Sequence, residues 1–485
     1  MTTTQCDVGL IGLAVMGENL ALNMESRGFS VCVYNRTPQR VAQFMQGRAA
    51  GKRFVGATSL QQMVDALATP RRIILLVKAG TAVDELIDQL APLLSPGDIL
   101  VDGGNSLYTD TARRVRTVEA NGLLYVGAGV SGGEEGALKG PSLMPGGSAA
   151  AWPHLQPIFQ AICARTPAGE PCCEWMGESG AGHFVKMIHN GIEYGDMQLI
   201  CEVYDVLKRG LGLSNSAMSA IFDQWNGGEL NSYLVEITRD ILRHVEDDCS
   251  ATLYVILYKA GQKGTGKWTV VSALEEGSPL TLIAEAVFAR CLSAAKDERV
   301  AASAILGGAT ERYGGDAAGL IDALGQALYA AKIVSYAQGY QLMRSAATTL
   351  GWSLNFGGIA LTWRGGCIIR SAFLGDIKHA FDRDPALVNL LLDPFFRDAL
   401  VSRQAALRQV VAAAVTLGIP VPCLGAALAY WDTYRCARLP ANLLQAQRDY
   451  FGAHTYERTD RPRGEVFHTN WTGHGGDTTS QSYTR

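Results

Sequence analysis

Residues 7–36 constrain this chain more than any other stretch. DVGLIG reads as a strand, GLAVMG (Gly12–Gly17) as a tight turn, Glu18–Arg27 as a helix, and FSVCVYN as a second strand. The turn fits G-x-G-x-x-G with Ala14 at the second glycine. Gly12 permits the turn, Ala14 is small enough for a pyrophosphate to approach, and Gly17 lets helix and strand pack closely, with the helix N-terminus facing the anion. Leu13, Val15 and Met16 complete the turn. A loose glycine fingerprint also fits a plain glycine-rich strand end; the strand–turn–helix setting favours a dinucleotide site.

The end of the second strand selects the dinucleotide. An Asp or Glu there binds a ribose 2′-hydroxyl. This chain has Asn35-Arg36-Thr37. A guanidinium pairs with a 2′-phosphate that a carboxylate would repel, so NADP is the expected cofactor, although an exposed turn arginine is the plainer reading. Further strands read at 72–80, 97–105 and 123–133. Ligands gather at the carboxyl ends of such strands, which puts Val77-Lys78-Ala79, Asn105 and Ser131-Gly132-Gly133 at a cofactor or substrate. The SGG amides suit a carboxylate nest; equally, these glycines turn corners.

From about residue 180 helical periods replace strands, up to about 437. In GAGHFVKMIHNGIEY (180–194), helical spacing puts Lys186, Asn190 and Glu193 on one stripe, flanked by His189 and Tyr194. That suits a reaction site, and it also suits a solvated face with an ordinary Lys–Glu pair. A weak internal echo follows: 202–214 resembles 338–353, and Trp225-Asn226-Gly227-Gly228 resembles Trp363-Arg364-Gly365-Gly366. That period is too long for a solenoid and fits a duplicated helical subdomain. AGQKGTGKW (260–268) offers Lys263 and Thr265 from a glycine-flanked loop that is not a phosphate-binding Walker loop. The helix 285–299 is expected to direct Arg290 inward, with Lys267 and Lys296 facing solvent. After Pro440 an amphipathic stretch leads into a polar Gly/Ser/Thr tail that alone reads as disordered. Arg448, His454 and Trp471 within it hint at docking.

Composition narrows the classes. At 485 residues two or three domains are expected. The net charge of −4, without a Lys/Arg run, argues against nucleic acid. The first residues lack a basic region and cleavage site, and no apolar stretch of about 20 residues suggests a membrane span. The eleven cysteines are scattered, without a CxxC pair, as in a reduced cytoplasmic protein without a zinc site or disulfide framework. No clustered aspartates suggest a metal.

GLAVMG, NRT, SGGEEGA, FVKMIHNGIEYGDMQLI, GQKGTGKW, RGGCIIRS and QAQRDYFGAHTYE occur in that order over nearly the whole chain. The set resembles the decarboxylating 6-phosphogluconate dehydrogenases of the pentose phosphate pathway. The resemblance implies α/β plus all-α architecture: a Rossmann-type NADP-binding domain (1–179), a large duplicated helical domain (180–437) and a tail reaching the partner of a homodimer (438–485). It implies oxidation of 6-phosphogluconate to ribulose 5-phosphate, carbon dioxide and NADPH. Lys186 matches the general base and Glu193 the proton donor. Asn105, Ser131, Gly132, Gly133, His189 and Asn190 match contacts to the sugar acid. Tyr194, Lys263, Thr265 and Arg290 match the phosphate end, with Arg448 and His454 supplied by the second subunit. Tyr258 departs from the family, which commonly has aspartate there; the change bears on packing ahead of Lys263. Two rival readings, a non-decarboxylating 3-hydroxyacid dehydrogenase and a catalytically silent NADP-binding protein, fit less well. Lys186 and Glu193 are both present, and Arg290, Lys263 and Arg448 would be superfluous for a small unphosphorylated acid.

Overall fold

The computed structural model describes residues 5–247, 250–308, 311–475 and 478–480. Seven strands form one sheet: β1 (Val8–Ile11), β2 (Val31–Tyr34), β3 (Phe54–Gly56), β4 (Arg72–Leu75), β5 (Ile99–Asp102), β6 (Leu124–Ser131) and β7 (Ser142–Gly147). Their order is β3-β2-β1-β4-β5-β6-β7, parallel except for the antiparallel pair β6–β7. Side chains alternate between two apolar cores. Ile74, Ile99 and Val101 enter one, while Ile73, Leu75 and Leu100 enter the other. A sheet covered on both faces needs such near-continuous apolar strands. Chain order reverses between β1 and β4, which opens a crevice at their carboxyl ends.

The helix Ala181–Asp205 seats directly on this sheet. A glycine stripe makes the approach possible. A Cβ on Gly182 would lie 2.4 Å from the Gly127 carbonyl oxygen, and one on Gly127 would lie 2.6 Å from His183 Nδ1. The residues on either side of position 180 consequently belong to one compact unit, Met1–Leu428, and contacts divide the chain only ahead of the second unit, Ala429–Arg485. The helix continues as a π-helical turn, Val206–Gly210.

On its far side Ala181–Asp205 packs against the long helix Ala317–Leu350, with Gly195 facing Ser335 and Gly339 facing Ile192. That long helix is long and apolar enough to cross a membrane by length and composition alone, and 67% of its most apolar window is buried within the protein, as in a core helix. The internal echo has a structural counterpart. The loops after the two Trp-x-Gly-Gly segments pair with each other through Ser232 and Ser371. The apolar segment ahead of the lysine loop forms one helical turn, Thr252–Val255, and Tyr258 is exposed.

The second unit holds the helix Ala441–Gly452 and a short antiparallel pair, Tyr456–Glu457 with Val466–Phe467. The start of the polar stretch that follows is tied back through Thr469 and Trp471 to Asp449. Residues 476–477 and 481–485 lie outside the described residues.

Candidate active site

The crevice between β1 and β4 is built by backbone that tolerates no side chain. Gly12 has φ of 107°, and a Cβ there would lie 2.3 Å from the Leu76 carbonyl oxygen; one on Gly17 would lie 1.8 Å from the Gly12 oxygen. Ala14 is the N-cap of the helix Val15–Ser26, so the first free amides of that helix face the crevice. Ala14 and Val15 are exposed at its mouth, with Met16 half-buried. Leu13 behaves differently from its neighbours. Its side chain is buried in the core and its N–H donates to Asn35 Oδ1 at 3.0 Å. That bond ties the turn to the end of β2. Asn35 also donates to the Thr37 carbonyl at 3.2 Å, which leaves Arg36 exposed beyond the strand. No carboxylate occupies this strand end, so the residues present fit a 2′-phosphorylated dinucleotide.

The next two strand ends are tied together from below. Asp102, at the end of β5, accepts from Gly104 N–H (3.0 Å) and from Ser106 Oγ (2.6 Å), holding the loop that exposes Asn105. Buried Arg114 forks onto Asp84 at 2.8 and 3.0 Å, donates to the Gly80 carbonyl at 2.9 Å, and reaches Asp102 at 3.4 Å. One guanidinium thus links the loop carrying Val77, Lys78 and Ala79 to the loop carrying Asn105. Sequence reading passed over this arginine because its partners lie 12 and 30 residues away.

The expected stripe on Ala181–Asp205 faces inward. Lys186 is 4% exposed and His189 0%. Lys186 Nζ lies 3.4 Å from His189 Nδ1, and His189 Nε2 lies 3.2 Å from Ser131 Oγ. With Lys186 donating to Nδ1, the imidazole proton sits on Nε2 and is donated to Ser131. Trp363 stands edge-on to His189, with ring centroids 5.8 Å apart. Asn190 Nδ2 donates to Glu193 Oε2 at 3.0 Å, while Asn190 Oδ1 is buried without a hydrogen-bond partner and is available to a ligand. Ser131 ends β6, and Gly132 and Gly133 follow with φ of 105° and 62°, in the left-handed region that glycine adopts readily.

Burial dominates the electrostatics. It lowers the Lys186 pKa, against the opposing pull of Glu193, and it raises that of Glu193, against Lys186, the Asn190 hydrogen bond and Arg290. Burial and the neighbouring lysine push His189 well below its ordinary value. The three groups are driven toward a free amine, a neutral imidazole and a carboxylic acid. One turn on, Asp196 pairs with Lys332 at 2.6 Å, both fully buried. Its charge also pushes Glu193 upward. Asp196 continues the stripe at i+3 from Glu193, a spacing that could have drawn notice in the sequence.

The lysine loop comes to the same helix. Thr269 Oγ1 donates to the Met187 carbonyl at 2.9 Å. Buried Thr265 opens the helix Thr265–Glu275, and Gly266 lies so close to Tyr194 that a Cβ would meet the ring at 2.6 Å. The Arg290 guanidinium stacks over Tyr194 at 3.7 Å. Lys263 itself is exposed on a loop held against the helix Thr281–Ala294 by Ala260 N–H donating to Ser293 Oγ (3.2 Å). The Tyr258 carbonyl accepts from Arg299 at 2.9 Å, so the residue ahead of the loop serves through its backbone. Arg448 and His454 lie in the second unit. Among the described residues no group of three or more His, Cys, Asp and Glu is placed to hold a metal ion, and the described cysteines are free.

Comparison with known proteins gives concordant matches. The family model for the NAD binding domain of 6-phosphogluconate dehydrogenase matches residues 7–177, and that for the 6-phosphogluconate dehydrogenase C-terminal domain matches 182–471. The chain is 59% identical to human decarboxylating 6-phosphogluconate dehydrogenase over 480 residues, 99% of each chain. It is 61% identical to that of Ceratitis capitata over 482 residues, again 99% of each. Among solved structures, Plasmodium falciparum 6-phosphogluconate dehydrogenase, studied in apo form and with NADP+ or 6-phosphogluconate, aligns with a TM-score of 0.93 and 42% identity, covering 96% of this chain and 100% of that one.

Proposed function

The chain belongs to the 6-phosphogluconate dehydrogenase family, and we propose that the buried stripe of Ala181–Asp205 is where it performs that chemistry. Its reaction is the NADP-dependent oxidative decarboxylation of 6-phospho-D-gluconate to D-ribulose 5-phosphate, carbon dioxide and NADPH. Bound NADP supplies the hydride acceptor.

The observation that carries the assignment of roles is the opposed pair of pKa shifts, Lys186 down and Glu193 up, on one helix face. A neutral Lys186 accepts the proton of the C3 hydroxyl as C3 is oxidised. His189, a neutral imidazole accepting from Lys186 and donating to Ser131, keeps the amine oriented. The resulting 3-keto acid loses its carboxylate as carbon dioxide, and the protonated Lys186 stabilises the enolate oxygen that forms. Glu193, whose pKa burial raises, then delivers a proton to the former C2, the carbon that becomes C1 of ribulose 5-phosphate. Asn105, Asn190 and the amides of Ser131-Gly132-Gly133 hold the hydroxyls and carboxylate of the sugar acid. Tyr194, Lys263, Thr265 and Arg290 take the phosphate, completed by Arg448 and His454 of a second copy of this chain.

In this reading residues 1–179 bind NADP, 180–437 carry the substrate site and the dimer contact, and 438–485 reach the partner subunit in a cytoplasmic homodimer. Exposed apolar side chains support such an interface: Leu257, Leu274 and Leu306 in the first unit, and Leu443, Phe451 and Trp471 in the second. The test is purified protein with 6-phosphogluconate and NADP, following NADPH absorbance and trapped carbon dioxide together. NADPH without carbon dioxide would favour simple hydroxyacid oxidation; neither product would remove the assignment.

A further inference from the structure

A single carboxylate organises the end of the second unit. Asp449 is fully buried near the end of the helix Ala441–Gly452. Its Oδ1 accepts from Thr455 N–H at 2.9 Å and from His468 Nδ1 at 3.0 Å. Its Oδ2 accepts from Thr469 N–H at 3.0 Å and Trp471 Nε1 at 2.9 Å. Burial alone would raise this carboxyl, and the four donors together hold it below the usual carboxylate range. One side chain thereby gathers three separate pieces of chain: the helix, the turn at 455 and the strand exit at 468–471.

The turn it holds is one the backbone resists. Ala453 and Thr455 have φ of 49° and 59°, the left-handed region that non-glycine residues avoid. His454 lies between them, folded back over Gly452, where a Cβ would meet its Nε2 at 2.6 Å. Gln445 closes the ring from the other side. It donates to the Thr455 carbonyl at 2.5 Å and accepts from Arg448 Nη1 at 3.1 Å. Arg448 is therefore held through Gln445 to the Thr455 carbonyl, and Thr455 is held by Asp449.

We propose that Asp449 is a positioning residue that presets Arg448 for the substrate phosphate before the tail meets substrate. This rests on the reading that Arg448 binds the substrate phosphate. A tail ordered in advance gives up less conformational freedom on binding than one that must fold around the phosphate. The consequence is specific: losing the hub weakens phosphate binding through Arg448 and leaves the distant proton-transfer groups alone.

The experiment is steady-state kinetics on full-length dimer carrying Asp449→Asn, Arg448→Ala and both. Asp449→Asn is expected to raise the KM for 6-phosphogluconate by about tenfold, with kcat and the KM for NADP within about twofold, and to add nothing further once Arg448 is alanine. A milder variant, Trp471→Phe, removes one donor and should give a smaller rise in the same constant, which keeps the test decisive if Asp449→Asn does not fold. A wild-type KM in Asp449→Asn or, failing that, in Trp471→Phe, beside a raised KM in Arg448→Ala, overturns the proposal and leaves the phosphate reading intact. Equal losses in every constant, or additive effects in the double variant, also overturn it, because they mark general damage to the fold. An unchanged KM in Arg448→Ala removes the phosphate reading itself, and the proposal with it.

Discussion

Lys186 lies flat against Gly129: a Cβ added to that glycine of β6 would sit 2.4 Å from Lys186 Cβ and 2.7 Å from its Cγ. The sheet therefore sets the height of the proposed base. Gly129→Ala should push the helix outward and lower kcat by about a hundredfold, the effect of roughly 1 Å of misplacement, while the Kd for NADP stays within about threefold. Equilibrium binding beside steady-state rates checks it, and an unchanged kcat would mean that the helix position is not critical.

The two proton-transfer roles separate in time. Lys186→Met should abolish the single-turnover NADPH burst, whereas Glu193→Gln should keep the burst and slow turnover, since it acts after oxidation. Burial disfavours the ammonium and lowers the Lys186 pKa, so the free amine is reached at lower pH than for an exposed lysine. The wild-type burst should thus rise with pH and level off below about pH 10. A burst still climbing there would contradict a lowered lysine.

Cofactor choice turns on Arg36. Arg36→Asp replaces a phosphate partner with a repelling carboxylate, so kcat/KM for NADP should fall at least about a hundredfold, with the value for NAD within about threefold. Equal losses for both cofactors would remove Arg36 from 2′-phosphate recognition.

The Asp196–Lys332 pair is a stability element with both charges out of water. Lys332→Met leaves a buried, unpaired carboxylate and should destabilise the protein by about 3–5 kcal/mol; adding Asp196→Leu should recover most of it. Denaturant midpoints of the single and double variants decide this. A double variant no more stable than the single one would show that the cost lies in packing.

Sharing of the site between subunits is testable by mixing. Arg448→Ala alone should raise the KM for 6-phosphogluconate by roughly thirtyfold, the loss of a charge-assisted bond of about 2 kcal/mol. Exchanged with Lys186→Met subunits, it should yield heterodimers in which one site carries both defects and the other neither. Exchange verified by intact mass without a wild-type-like KM would place Arg448 at its own subunit's site, or at none.

Much of this was written locally. The turn at Gly12–Gly17, the carboxylate-free strand end at Asn35–Thr37 and the stripe of Lys186, Asn190 and Glu193 depend on residues within one or two turns of each other, and short-range periodicity determines them. What the stripe faces does not. The same spacing serves a solvated helix as well as a reaction site, and it is the glycines at 127, 129 and 182, which bring the helix onto the sheet, that put Lys186 out of water and lower its pKa. Arg114, Thr269, Asp196 with Lys332, and the Asp449 hub escaped notice for a related reason. Each acts on backbone or charge that the sequence holds at a distance, and a carboxylate's value depends on which donors the fold turns toward it.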